Sequence, residues 1–192
     1  MTLVPHKHDL LPSRDHSALL VIDVQERLVP AMPPDVAAAV LRNTEILIAA
    51  AREFSLPVLV TEQYPKGLGA TVPAIQAALP DDCRPFTKIE FSCCAAPGFP
   101  LQEAIGERDV ILCGMETHVC VLQTALDLLS MGRRVFVAAD ATCSRAKLNW
   151  RAGLDIMRQA GAVVGTTEIF TFAMLGAAGS EQFKRISRLV KS

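Results

Sequence analysis

Along the chain, short and nearly continuous apolar runs alternate with longer stretches in which apolar positions recur at a helical period. The short runs, Ala18–Ile22, Pro57–Thr61, Arg84–Lys88, Val110–Cys113, Arg134–Ala138 and Ala162–Gly165, predict six strands. Most lack the polar alternation of a half-wet sheet and read as strands covered on both faces; Arg84–Lys88, which ends in a charge, is the weakest. Asp35–Phe54 sets Val36, Val40, Leu47 and Ala51 on one stripe, with Arg42, Glu45 and Arg52 elsewhere. That spacing predicts an amphipathic helix started by Pro33-Pro34-Asp35. Further helical patterns span Val72–Leu79, Cys120–Met131 before Gly132, Ala146–Ala160 before Gly161, and Glu181–Lys191. Strands alternating with helices build βαβ units, so the expected fold is α/β: a three-layer α/β/α sandwich around a six-stranded, mainly parallel sheet.

The 192 residues suit a single domain, 1–192, and 51% apolar with 20% charged residues excludes disorder. Nineteen Lys and Arg against twenty Asp and Glu leave a formal charge of −1, without the basic surplus that a nucleic acid or an anionic membrane attracts. Met1–Leu11 carries His6, Lys7, His8 and Asp9 and no continuous apolar core, unlike a signal peptide. No run reaches the roughly 18 apolar residues of a spanning helix. A soluble, cytoplasmic chain is expected, its six cysteines reduced because a core of this size needs no staples. There is no CxxC pair, only His118 lies beyond residue 16, and no GxGxxG comes after a strand. Neither a metal site nor a dinucleotide cofactor is expected.

In an open parallel sheet, ligands bind beyond the carboxyl ends of the strands. Asp23 and Gln25 come directly after the first expected strand, and Glu62, Gln63 and Tyr64 after the second. The third ends at Lys88 with Phe91 close behind, the fourth leads into Gly114–Cys120, and Asp140 lies past the fifth. Alone, Asp23 reads equally as a turn cap, Lys88 as a solvated lysine, and Cys113 as a small core residue. Cys120 differs by position: it comes after a strand and a glycine and opens a helix, where free N–H groups favour a thiolate. An acid, an amine and a thiol on one sheet edge are the parts of an activated cysteine nucleophile.

The segments Leu19-Leu20-Val21-Ile22-Asp23-Val24-Gln25, Lys88-Ile89-Glu90-Phe91-Ser92 and Gly114-Met115-Glu116-Thr117-His118-Val119-Cys120 resemble the isochorismatase-like cysteine hydrolases, matching D-x-Q, K-x-x-F and G-x-x-T-x-x-C in order. Asp140-Ala141-Thr142-Cys143-Ser144-Arg145 is similar to a further family segment. Thr61-Glu62-Gln63-Tyr64-Pro65-Lys66-Gly67-Leu68-Gly69 resembles the subgroup of isochorismatase domain-containing proteins. The resemblance covers a core of about residues 17–168. It implies a catalytic triad of Asp23, Lys88 and Cys120, a cis peptide between Met115 and Glu116, and an oxyanion hole of the Glu116 and Cys120 amides. Two departures qualify it. Nicotinamidases of this superfamily carry a metal cluster where this chain has Glu62-Gln63-Tyr64, and true isochorismatases generally lack the cysteine, so Cys120 moves the expectation from ether to amide hydrolysis.

The expected reaction has Asp23 taking the Cys120 proton, Lys88 lowering the thiol's pKa, and the thiolate attacking a small carboxamide. Gln25, Leu28, Gln63, Tyr64, Phe91, Thr117 and His118 are expected to line the substrate pocket. The rivals are a binding or scaffold protein that kept the fold, and a thiol redox protein pairing Cys120 with Cys113 or Cys143. The apolar breadth of Cys120–Met131 and of Ile169–Ala178 predicts a homo-oligomer.

Overall fold

The computed structural model describes residues 10–191; the reading of Met1–Leu11 lies, but for its last two residues, outside them. Six strands form one sheet: β1 (Ser17–Ile22), β2 (Val58–Gln63), β3 (Phe86–Lys88), β4 (Asp109–Met115), β5 (Val135–Cys143) and β6 (Val163–Gly165). Their order is β3-β2-β1-β4-β5-β6, and every neighbouring pair is parallel. The chain therefore winds outward one way from β1, then crosses back to β4 and winds the other way. The switch point lies between β1 and β4, where such sheets open a crevice at their carboxyl ends.

Successive side chains of a strand point to opposite faces, and the core divides accordingly. Leu19, Val21, Ile111, Cys113 and Phe136 face one layer, with α1 (Pro34–Glu53), α2 (Pro73–Ala78) and α5 (Thr167–Leu175). Ala18, Leu20, Ile22, Leu112 and Val137 face the other, with α3 (Leu122–Ser130) and α4 (Lys147–Gln159). The terminal helix, α6 (Glu181–Lys191), packs on α1 and α5. All six positions of β1 are buried, and each large aliphatic among them contributes about 1.5–3 kcal/mol of burial.

Two elements depart from expectation. β5 runs on to Cys143, five residues past its expected end, with a register shift against β4 between Leu112 and Gly114. Asp140 thus lies within the strand rather than after it. The apolar stretch from Ile169 forms α5, started by Thr166, whose Oγ1 accepts the Ile169 N–H at 3.3 Å. Its near-uniform apolarity hid the helical period, since Phe170 and Met174 are buried while Ile169 and Phe172 face outward. On α3, Ala125 and Leu128 are buried and Leu122, Leu126 and Leu129 half-buried, so the chain covers more of this helix than its composition suggested.

Candidate active site

Two loops and the end of β3, all at the carboxyl edge, supply the acid, the thiol and the amine. Directly after β1, Asp23 turns into the left-handed region (φ 54°), which Asp tolerates better than a branched residue. Its carboxylate is fully buried, and both oxygens are bonded. Thr61 Oγ1 donates to Oδ1 at 2.7 Å, and Lys88 Nζ donates to Oδ2 at 2.7 Å. The parallel register places Thr61 opposite Ile22 and Lys88 opposite Gln63, so a two-strand offset carries the amine to the acid. Lys88 also donates to Gln63 Oε1 at 2.7 Å and to the Phe91 carbonyl at 3.3 Å. All three ammonium protons are spent on protein oxygens.

The thiol arrives from β4. Gly114 stands opposite Ile22 at φ 117°, and a Cβ there would lie 1.9 Å from the Ile22 carbonyl oxygen, so only glycine passes. The Met115–Glu116 peptide is cis, as the family resemblance implies. The chain then makes a wide turn, Thr117–Val121, closed by the Val121 N–H on the Glu116 carbonyl at 3.3 Å, and α3 begins only at Leu122. Cys120 sits inside this turn rather than at the start of the helix. It is buried close to Asp23 and Lys88, whose charges both act on its thiol.

The electrostatics of the three groups stem from that burial. Burial and the Asp23 charge push the Cys120 thiol well above its ordinary value, and Lys88 only partly opposes them. Lys88 lowers the thiol as expected, but burial and the Asp23 charge outweigh it, so the net shift is upward. For Lys88, burial pulls the ammonium down, but Asp23, with Cys93 and Cys120, outweighs it, and the pKa stands above the usual lysine value. Lys88 is a fixed cation.

The remaining sequence candidates divide into clamps and surface groups. Gln25 is fully buried: its Oε1 accepts the Gln63 N–H at 2.8 Å, and its Nε2 donates to the carbonyls of Gln63 (3.0 Å) and Gly69 (2.6 Å). It holds the loop beneath the site, and its amide protons are spent on the backbone. Gln63 is likewise engaged, with Nε2 donating to the Ile89 carbonyl at 2.7 Å. Tyr64 and Phe91 are more than half exposed beside them, and Leu28 is half-buried against the core. Thr117 is buried, and its hydroxyl has no partner. His118 is half-buried, with Nδ1 3.0 Å from Ser144 Oγ and Nε2 3.4 Å from Asn149 Nδ2. The Glu116 carboxylate is tied to Arg145, accepting its backbone N–H at 2.9 Å and its Nε at 3.2 Å.

Sequence reasoning missed Thr61, Cys93 and Ile89. Thr61 was visible as the polar end of an otherwise apolar strand. Cys93 Sγ lies 3.8 Å from Thr61 Oγ1, and burial, then the Asp23 charge, pushes its thiol up to about 11. Nothing in its sequence neighbourhood marks it. Ile89, three-quarters exposed, extends the apolar surface of Tyr64 and Phe91 beside Lys88. Where nicotinamidases hold a metal, Glu62 instead binds the Thr71 N–H and hydroxyl at 2.7 and 2.9 Å. Cys113 and Cys143 belong to the core on the opposite face from Cys120, so the sheet separates Cys120 from both suggested redox partners, and all six cysteines are unpaired.

Two cavities lie away from the triad. One, of about 720 Å³, opens at the amino end of β2 among Ser55, Leu56, Pro57 and Arg84. The other, of about 440 Å³, lies between α1 and the start of α4, among Val36, Asn43, Asp140 and Trp150. Neither is lined by Asp23, Lys88 or Cys120.

Residues 17–169 match the model of the Isochorismatase domain. The chain belongs to this family. It is 43% identical over 145 residues to the bovine Isochorismatase domain-containing protein 2, covering 76% of this chain and 70% of that protein. It is 38% identical to the secreted isochorismatase effector Isc1 of Phytophthora sojae, covering 98% and 87%. Among solved structures, it is similar to the MAR1 ribonuclease of Caenorhabditis elegans, with 37% identity, a TM-score of 0.87, and coverage of 95% and 93%. It also resembles the YcaC gene product of Escherichia coli, described as an octameric hydrolase of unknown specificity, with 25% identity, a TM-score of 0.81, and coverage of 91% and 85%. The family supports a hydrolase. Among the described residues, no helix is long and apolar enough to cross a membrane.

Proposed function

We propose that this hydrolase cleaves the C–N bond of a small carboxamide through a thioester on Cys120. The observation that carries the reading is the buried cluster of Lys88, Asp23 and Cys120: a carboxylate with a fixed cation on one oxygen, beside a thiol whose proton is retained by burial and by the Asp23 charge. Asp23 takes that proton as the sulfur attacks the carbonyl carbon, so no free thiolate has to persist in the buried site. The backbone N–H groups of Glu116 and Cys120 hold the oxyanion. Asp23 returns the proton to the departing ammonia or amine, then takes one from the water that attacks the thioester, and finally reprotonates the sulfur. Lys88 remains an ammonium throughout and stabilises the carboxylate between transfers.

Exposed Tyr64, Ile89 and Phe91 beside Lys88 suit a substrate that is small and largely uncharged. A cytoplasmic location accords with six unpaired thiols, and a homo-oligomer accords with the exposed Leu148, Ile156, Ile169 and Phe172 and with the octameric relative. Light scattering is expected to give a mass of at least twice 20.7 kDa; a monomer would remove the assembly.

An ammonia-release screen over small uncharged amides, run beside Cys120→Ala, tests the reaction. Turnover by the native chain alone supports it. Because the nematode relative is called a ribonuclease, the same pair is incubated with single-stranded RNA. Cleavage of RNA by the native chain and not by Cys120→Ala, with every amide inert, would replace the carboxamide by a phosphodiester.

A further inference from the structure

Each ammonium proton of Lys88 has an acceptor, and one of the three acceptors is a neutral amide from a neighbouring strand. Gln63 Oε1 receives Lys88 Nζ at 2.7 Å, the same distance as the Asp23 oxygen. The orientation of this amide is not free. An ammonium offers only donors, so the oxygen must face Lys88, and the NH₂ is then left to meet the Ile89 carbonyl at 2.7 Å. The backbone of Gln63 is gripped on both sides by the Gln25 amide, which binds its N–H at 2.8 Å and its carbonyl at 3.0 Å. Gln25 also reaches the Gly69 carbonyl at 2.6 Å. A buried glutamine has thus been locked, by its own backbone and by both ends of its side chain, in the one pose that accepts from Lys88.

We propose that Gln63 is a positioning residue for the hydrolase: it occupies the ammonium proton of Lys88 that would otherwise turn toward Cys120, leaving Asp23 as the only group that moves protons at the thiol. The inference rests on the hydrolase reading for its purpose, but on the hydrogen-bond geometry for its existence. The neutrality of the amide matters as much as its reach. With Gln63 uncharged, Asp23 is, among the described residues, the only carboxylate hydrogen-bonded to Lys88, and the pair is electrically balanced. A carboxylate at position 63 would compete with Asp23 for the cation and add a negative charge near the thiol, opposing thiolate formation. An apolar side chain of similar length would free one N–H, and the strongest acceptor then in need of it is the nascent thiolate.

The two substitutions therefore act in opposite directions, which a merely structural role would not produce. The readout is the pH dependence of Cys120 alkylation by iodoacetamide, assigned by peptide mass spectrometry so that the other five thiols do not contribute. At a fixed pH near neutrality, where the chain is folded, Gln63→Glu is expected to slow alkylation about tenfold and Gln63→Met to speed it about tenfold, each equivalent to a shift of the profile by about one pH unit. Unshifted profiles, or shifts of both variants in the same direction, would overturn the inference. Should either variant fail to fold, the native chain supplies the test. With all three protons bonded, Lys88 is expected to show a ¹⁵N-ammonium resonance that persists at neutral pH, where exposed lysines exchange it away; its absence would overturn the inference. Alkylation needs no substrate, so the two readings fail separately. Opposite shifts in a chain that turns over no amide would keep the role of Gln63 and remove the hydrolase. Unshifted profiles in an active chain would do the reverse.

Discussion

Two buried carboxylates, each with a cation, stand at opposite ends of the same sheet. At the amino end, Asp109 opens β4 and receives Arg134 through both oxygens, Nε at 2.9 Å and Nη2 at 2.5 Å. At the carboxyl end, Asp23 lies just past β1 and receives Lys88 through one oxygen only. The guanidinium is a planar fork that satisfies a whole carboxylate, whereas the ammonium is a point charge that engages one side of it. Asp23 accepts Thr61 as well as Lys88, and its charge also acts on the Cys120 thiol. The Arg134 side chain is 39% exposed, and both side chains of the Lys88–Asp23 pair are fully buried. The same charge pairing is a brace at one end and, in the proposed reaction, a proton acceptor at the other.

If that contrast holds, the largest effect belongs to the carboxyl end. Asp23→Asn and Lys88→Met are each expected to lower turnover of an amide found in the ammonia screen by about 10²–10⁴-fold, and the double variant no further, because both act through one nucleophile. Additive losses would mean that the two residues serve different steps. Stability sharpens the comparison next. Lys88→Met leaves Asp23 buried without its cation and is expected to cost about 3–5 kcal/mol in urea unfolding. Arg134→Met, with a cation already partly in water, is expected to cost about 1–3 kcal/mol and to leave turnover intact. A loss of activity on removing Arg134 would break the division between the two ends.

A further effect concerns alkaline pH. Burial raises Cys93 to about 11 and Cys94, Cys113 and Cys143 to about 12, while the unfolded thiols titrate near about 8.5. Above that value the unfolded chain holds fewer protons than the folded one, so stability falls as pH rises. The contribution is full below about pH 8.5 and is lost through the folded values. Urea midpoints are expected to drop as pH rises from about 8.5 toward about 11, and Cys113→Ala to reduce the slope by one thiol's share. A flat profile would show that the thiols are not held protonated by the fold.

Much of this architecture was legible in the sequence because burial on both faces leaves apolar runs. β1 and the start of β4 read directly from Ala18–Ile22 and Val110–Cys113. The continuation of β5 through Asp140 was not legible, because its polar positions at the sheet edge resemble a loop. α5 was hidden for the opposite reason, since an almost uniformly apolar segment shows no stripe. At the candidate site, Asp23, Lys88 and Cys120 were legible as candidates because each ends or comes after an expected strand, where a parallel sheet binds its ligands, and the family resemblance joined them as a triad. The protonation of Cys120 was not, because it depends on how deeply the wide turn Thr117–Val121 sinks the sulfur against Asp23. Gln25 and Gln63 were placed at the site as pocket walls. Their clamping role arises from pairing across 38 residues, which no local pattern carries.

The central claim is that Cys120 is the atom to which the acyl group is transferred. Exposing the native chain to p-nitrophenyl acetate, quenching in acid and mapping the peptides tests it directly. A single acetyl group on Cys120, absent in Asp23→Asn, is the predicted result. Release of nitrophenol by Cys120→Ala at the native rate, with Cys120 of the native chain unmodified, would contradict it.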